Sequence, residues 1–131
     1  IYCEGFKVKD PLPLGLQWMI DFDKESFLGL DAITARRSQG LSKKIIGIAS
    51  NDSAALSDGK PVFMGIKEIG NIQCSCFSYI LNQYIGLALL DIDIAYAGLS
   101  FNLDKPDGPK VKTISMPPIF PKSLSVKLDE L

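Results

Sequence analysis

The chain has 131 residues, of which 47% are hydrophobic, and its 14 basic and 15 acidic side chains give a formal net charge of −1. This length suits one domain with a real core, and the near-neutral charge argues against nucleic acid or an anionic membrane surface as a partner. Because histidine is absent, no Ser-His-Asp or Cys-His nucleophile can be built from this chain alone. No apolar run approaches the roughly 18 residues of a membrane span.

The chain has three cysteines, Cys3, Cys74 and Cys76, whose number and spacing bear on the redox state of the thiols. An odd count with this spacing is typical of reduced thiols and predicts a cytoplasmic location. With no histidine available, the chain offers no complete set of zinc ligands, so no metal site is predicted. The chain begins with Ile1 rather than Met, and we expect it to be part of a longer protein.

The first third of the chain predicts a turn, a strand and a helix. Two prolines near residue 12 indicate an extended linker, and the apolar, aromatic run from Leu16 to Phe22 predicts a short buried strand. Asp23 is positioned to cap a helix over residues 24–38, with Glu25 in its first turn. Gly40 then ends that helix.

From residue 43 onward, short apolar segments alternate with turn signals. Six strands are predicted, with a candidate β-bulge at Gly70 in the third. They cover residues 44–49, 61–64, 72–78, 84–91, 98–104 and 110–116. About six short strands at regular spacing predict a mainly β fold, a small barrel or sandwich. Lysine pairs such as Lys110 and Lys112 are expected to be solvated.

Several motifs, taken in order, resemble the carboxy-terminal part of the glycine cleavage T-protein family, the tetrahydrofolate-dependent aminomethyltransferases. The matching segments are Pro13 to Trp18 (PLGLQW), Phe22 to Lys24 with Phe27 to Gly29 and Ala32-Ile33, Lys43 to Ile48, Gly59 to Val62 leading to Gly70 and Ser78, Ile85 to Ala88 with Gly98, and Pro118 to Phe120. Together they run from about residue 12 to residue 120.

The resemblance implies a six-stranded Greek-key barrel preceded by a short strand and helix. It divides the chain into residues 1–42, the end of a central folate-binding region, residues 43–122, the barrel, and residues 123–131, a tail. The implied activity of the parent protein is one-carbon transfer to tetrahydrofolate, with a lipoyl carrier protein as a partner, and the fragment alone is not expected to be active. In this family the catalytic aspartate belongs to earlier regions.

Two alternatives stay open. The same barrel ends larger flavoenzymes such as sarcosine and dimethylglycine dehydrogenases. It could also serve as a non-catalytic folate-sensing or interaction module. That alternative is motivated by departures from the family pattern: Tyr79 replaces a proline, and the only arginines are Arg36 and Arg37, so the arginines common in the family's barrel are missing.

One residue, Trp18, is the candidate cofactor contact, because an indole can stack on a flat pterin or benzoyl ring. The competing interpretation is a core or interdomain anchor under the following helix. The acids Asp21, Asp23 and Glu25 have a spacing that is more typical of capping and solvation than of a paired catalytic site. Cys74 and Cys76 are interpreted as small core residues, and no catalytic residue is assigned.

Overall fold

A computed structural model describes residues 10–52 and 56–119 of the chain. The expected tail at residues 123–131, Cys3 and the end of the last motif at Phe120 lie outside the described residues. The elements are a 3₁₀ turn at Gln17–Met19, helix α1 (Leu30–Ser38), strands β1 (Lys43–Ser50), β2 (Pro61–Met64), β3 (Lys67–Ser78) and β4 (Gln83–Asp91), a 3₁₀ turn at Ile92–Ile94, and strands β5 (Ser100–Leu103) and β6 (Lys110–Ile114).

The six strands form a closed antiparallel barrel with the neighbour order β1-β4-β3-β2-β5-β6. Strands β2, β3 and β4 follow one another as hairpins, and β1 lies beside β4, which is the Greek-key arrangement. Closure comes from β6, whose Ile114 pairs with Gly47 of β1 and whose Lys112 pairs with Ser100 of β5. The predicted mainly β fold with a six-stranded Greek-key barrel is therefore confirmed.

Alternation along the strands builds the core, because every second side chain points into the barrel. Ile48 of β1, Ile72 of β3 and Leu90 of β4 are fully buried there, together with Val62, Ile69 and Leu103. The opposite faces of β1, β3 and β4 point outward. A register shift between Ile72 and Cys74 reverses the alternation along β3. Cys74 and Cys76 therefore share the outer face, where they pair with Leu87 and Ile85.

The predicted bulge at Gly70 is present. Val62 of β2 pairs with Gly70, but the next residue, Phe63, pairs with Glu68, so Ile69 is an extra residue on β3. The bulge turns the Ile69 side chain into the core, where it has no solvent exposure. Gly70 has a φ of 156°, and a Cβ there would lie 2.0 Å from the carbonyl oxygen of Leu89. Glycine is required by this contact.

The region before the barrel differs from the prediction in two places. The short strand expected over residues 16–22 is wrong, because the 3₁₀ turn there uses local hydrogen bonds, such as that from Met19 N to Leu16 O at 3.0 Å. The helix begins at Leu30 instead of residue 24, after Gly29, which has a φ of 93°. Asp23 does not cap it; its amide donates to the Asp21 carboxylate at 3.1 Å.

Three features hold this region in place: a hydrogen bond with the barrel, a buried side chain and an ion pair within the region. The amide of Ile45 in β1 donates to the carbonyl of Pro13 at 2.8 Å, and Leu12 is only 4% exposed. Arg36 of α1 forms a 2.8 Å ion pair with Asp10. α1 itself contributes no buried residue. Among the described residues, no helix has both the length and the apolar character needed to cross a membrane.

Candidate functional site

The candidate cofactor residue, Trp18, lies in the middle of the 3₁₀ turn and has 77% of its surface exposed. Its neighbour Met19 is 66% exposed. The hydrophobic effect favours burial of such side chains, and an exposed apolar pair on one turn is a feature that can mark a binding surface. The chain has a second such pair, Tyr79 and Ile80, after β3. Within the described residues Trp18 is not part of the core and does not pack under α1.

A hollow of about 280 Å³ opens beside this turn, lined by Met19, Ile20, Asp21, Lys24 and Phe27. Its walls are mostly apolar, with one carboxylate and one ammonium group at the edge. Most complete small-molecule pockets enclose about 300–1,000 Å³, so the hollow has the size of part of a cleft. We call Trp18 together with these five lining residues the junction surface.

The three acids near the junction surface are not arranged as an acid-base pair. Asp21 lines the hollow, but its carboxylate accepts the amide of Asp23, an Asx-type turn contact. Asp23 and Glu25 are exposed. General acid-base catalysis by two carboxyl groups calls for unlike environments, and here all three side chains are exposed to solvent.

Both arginines of the chain are already engaged in α1. Arg36 contacts Asp10 through its Nε atom and Gln39 through a guanidinium nitrogen. The guanidinium of Arg37 lies over the ring of Phe22, 4.6 Å from the ring centroid, a cation–π arrangement. Neither arginine belongs to the barrel, so the barrel offers no guanidinium to an anionic group.

The thiols of Cys74 and Cys76 line a small apolar cavity on the outside of the barrel. Cys74 is buried and Cys76 is partly buried, and the cavity of about 70 Å³ between them and Ile85, Leu87 and Met116 is almost wholly apolar. In the described ranges 10–52 and 56–119, no three Cys, Asp or Glu residues come together as a metal site. The cavity is a packing feature of the outer face.

Sequence reasoning missed one polar groove on the barrel. The groove encloses about 450 Å³ on the outer face of β1, β6 and β5, and both Lys110 and Lys112 line it. In the sequence these two residues looked like an ordinary solvated pair. Their alternation along β6 was the available signal, since it places both side chains on one face, but the concavity around them comes from the barrel's curvature.

Residues 43–120 match the family model described as the glycine cleavage T-protein C-terminal barrel domain. Among similar proteins, an aminomethyltransferase of Pseudothermotoga lettingae is 36% identical over 84 residues, covering 64% of this chain and 23% of that protein. An aminomethyltransferase of Desulfitobacterium hafniense is 30% identical over 112 residues, covering 86% of this chain and 30% of that protein.

The crystal structure of the glycine cleavage system aminomethyltransferase T from Bartonella henselae superposes with a TM-score of 0.74 and 17% sequence identity. The superposition covers 86% of this chain and 32% of that one, and at this identity it speaks for the fold alone. The chain spans about a quarter to a third of the length of these relatives.

Proposed function

This chain belongs to the glycine cleavage T-protein family, whose C-terminal barrel domain it contains, and from this we propose that it is the barrel region of a tetrahydrofolate-dependent aminomethyltransferase. The parent protein transfers a one-carbon unit from an amine or methyl donor to tetrahydrofolate. In this proposal residues 1–42 end a central folate-binding region, residues 43–122 form the barrel, and residues 123–131 form a tail.

The observation that supports this proposal most directly is the exposed indole of Trp18 at the junction surface. Trp18 directly precedes Met19, which lines the mostly apolar hollow. An exposed indole can stack on one side of a flat heterocycle, and this supports a tetrahydrofolate contact at the junction surface. Bound tetrahydrofolate supplies the nitrogen nucleophiles that accept the one-carbon unit. The chain's own part is to contact the ring through Trp18 and to exclude water from one side of the cleft.

The acid or base for the transfer comes, in this proposal, from outside the chain. Asp21, Asp23 and Glu25 are exposed or engaged in a turn, as described above. A half-cleft keeps only part of the ligand contacts. We therefore expect the 131-residue chain by itself to bind tetrahydrofolate weakly and to have no transferase activity.

A direct test uses the fact that Trp18 is the only tryptophan in the chain. In the full-length protein, the difference in emission between the wild type and Trp18→Phe isolates the signal of this position. Tetrahydrofolate binding should quench and shift that difference, after correction for ligand absorbance. Calorimetry should show that Trp18→Ala weakens tetrahydrofolate binding by about tenfold, the scale of one aromatic stacking contact, while Trp18→Phe retains most of it.

The matched control is Tyr96→Ala, because Tyr96 is a large aromatic residue of the barrel with 64% exposure and lies outside the junction surface. It should leave tetrahydrofolate affinity unchanged. If the full-length protein shows no heat of tetrahydrofolate binding, the proposal fails. If it binds but Trp18→Ala changes only stability, Trp18 is an interdomain anchor and its role as a cofactor contact is refuted.

Two further elements of the proposal follow from the family. The one-carbon donor is expected to be carried by a lipoyl carrier protein, which size-exclusion chromatography with the full-length protein can detect. A cytoplasmic location is supported by Cys74 and Cys76, which form no disulfide, since cytoplasmic proteins keep cysteines reduced. Fractionation of cells expressing the tagged protein tests this location.

The non-catalytic module has one observation in its favour, the engagement of Arg36 and Arg37 within α1 and its neighbours. Because the barrel contains no arginine, it cannot bind an anionic ligand through a bidentate guanidinium contact. Transfer activity of the full-length protein, assayed as tetrahydrofolate-dependent loss of the aminomethyl group, excludes this second function. The flavoenzyme alternative remains a prediction that no feature of the described residues tests.

A further inference from the structure

The polar groove on the outer face of the barrel shares no lining residue with the junction surface. Lys112 of β6 sits between Ala49 of β1 and Ser100 of β5 in the sheet register, and Lys110 pairs with Asn102. Small neighbours on both sides of Lys112 leave the depression of about 450 Å³. The remaining lining residues are Ser50, Asn51, Gln83, Val111 and Ile114.

The groove is lined by described residues that carry a net positive charge. Its lining contains two lysines and, among the residues that the structure describes, no carboxylate. Within residues 10–52 and 56–119, neither lysine forms an ion pair. The situation differs at the other end of the barrel, where Lys43 and Lys67 both contact the carboxylate of Asp91 at 3.0 and 3.3 Å. Two positive charges on one face repel each other unless an anion lies between them.

Neutral polar groups in the groove point to the same kind of ligand. The side chains of Asn51, Gln83 and Ser100 line it, and within the described part of the chain none of them has a hydrogen-bond partner. Amide and hydroxyl groups donate readily to carboxylate and phosphate oxygens. Together with the lysines they supply up to five donating side chains around one depression.

We propose that this groove binds a small anion that carries carboxylate or phosphate groups. Alternate residues of a strand are about 7 Å apart, and flexible lysine stems let both ammonium groups converge on one multiply charged group. Ala49, Val111 and Ile114 add apolar surface to the lining, and a less polar surrounding strengthens charge–charge attraction. The groove and its ligand do not depend on tetrahydrofolate binding at the junction surface.

Titration by two-dimensional NMR of the full chain tests this proposal. Sodium phosphate, pyrophosphate and tricarballylate are the probes, each compared with sodium chloride at the same ionic strength. Saturable shifts should appear at the amides of Asn51, Ser100 and Lys112 and not at remote amides such as that of Leu12. A preference for the phosphate probes or for tricarballylate shows which anionic group the groove binds. Shifts that sodium chloride reproduces overturn the proposal.

Charge-neutral variants that keep most of the side-chain length supply the second arm. The double variant Lys110→Gln with Lys112→Gln should weaken binding by at least about tenfold, because it removes two charge-assisted contacts. Lys105→Gln is the control, since Lys105 is exposed on the β5–β6 turn and does not line the groove. Equal weakening by the control refutes the site, and retained dispersion in the same spectra shows that each variant is folded.

Discussion

The hydroxyl of Thr113 donates a 2.7 Å hydrogen bond to the backbone carbonyl of Tyr96. The same oxygen accepts the amide of Leu99 at 2.9 Å. Thr113 is only 1% exposed, on the inner face of β6, so one buried hydroxyl satisfies two backbone groups of the connection from the Ile92–Ile94 turn to β5. This connection leads into β5, whose Ser100 lines the cationic groove.

Replacing Thr113 with Val should therefore destabilise the protein by about 1–3 kcal/mol, the cost of leaving buried polar groups unpaired. The shape of the side chain is almost unchanged, so the loss reports the hydroxyl. Urea denaturation followed by circular dichroism measures it. Thr113→Ser keeps the hydroxyl and should cost less than Thr113→Val; the reverse order would show that the methyl group matters more.

A second prediction concerns the bulge in β3. Gly70→Ala would bring a Cβ within 2.0 Å of the Leu89 carbonyl oxygen across the β3–β4 pair, so the strands must separate or the bulge must move. We expect a loss of about 3 kcal/mol or more, through strain of the overpacking kind. Ile69 would leave its core position, and the thermal midpoint would fall.

Gly59→Ala is the comparison for Gly70, because Gly59 also has a positive φ, 81°, yet nothing lies within 4 Å of a Cβ there. This variant bears only the backbone cost, about 1 kcal/mol. Equal effects of the two substitutions would mean that backbone conformation, and not the contact with Leu89, makes Gly70 necessary.

The barrel could be predicted from the sequence because its signals are local. Alternation, turn residues and glycines bound each strand, and the bulge at Gly70 was visible as a glycine inside a strand pattern. The run from residue 16 to 22 misled for a physical reason. It has the composition of a buried strand, but β1 already pairs with β4 and β6, so the run has no free strand edge to join.

The candidate site was less predictable. Trp18 could be identified as a notable residue, but its 77% exposure depends on which surfaces pack against the turn, and hydrophobicity alone favours burial. The helix start was misplaced because Asp23 and Glu25 imitate a capped first turn, whereas Gly29 adopts the left-handed conformation at the actual N-cap. The cationic groove depends on barrel curvature, which periodicity does not encode.

A third prediction is a pH dependence at the lysine-paired end of the barrel. The hydrogen bond from Lys43, aided by Lys67 and opposed by partial burial, lowers the pKa of Asp91 below its ordinary value. A carboxyl whose folded pKa is depressed stabilises the fold above the unfolded pKa, about 3.9 for Asp. That contribution is lost as the pH falls through the folded pKa.

Asp91→Asn should consequently lower stability at pH 7 and leave it unchanged at a pH below the folded pKa of Asp91. The difference should be about 0–1 kcal/mol, because the side chains of Lys43 and Lys67 are 40% and 68% exposed and salt screens such pairs. Thermal melts from pH 7 to pH 2 measure it. Asp107→Asn, an exposed turn carboxyl outside these ion pairs, should show no comparable change with pH.

The last prediction concerns how the junction surface is held against the barrel. Leu12 is the one core side chain that the segment before α1 contributes among the described residues, and beside it the amide of Ile45 donates to Pro13. Leu12→Ala removes buried apolar surface at a typical cost of about 2–5 kcal/mol. This loss of free energy is larger than the free energy that the few remaining contacts of the segment contribute. The segment should therefore detach while the barrel stays folded.

Hydrogen exchange distinguishes detachment from unfolding. In Leu12→Ala the Ile45 amide should exchange much faster, because its acceptor leaves with the segment, whereas the Ile72 amide, bonded to Lys60 O at 2.9 Å inside the barrel, should keep its protection. Leu28→Ala is the control, since Leu28 is fully exposed. If both amides lose protection together, the segment and the barrel unfold as one unit, and the junction surface is as rigid as the barrel itself.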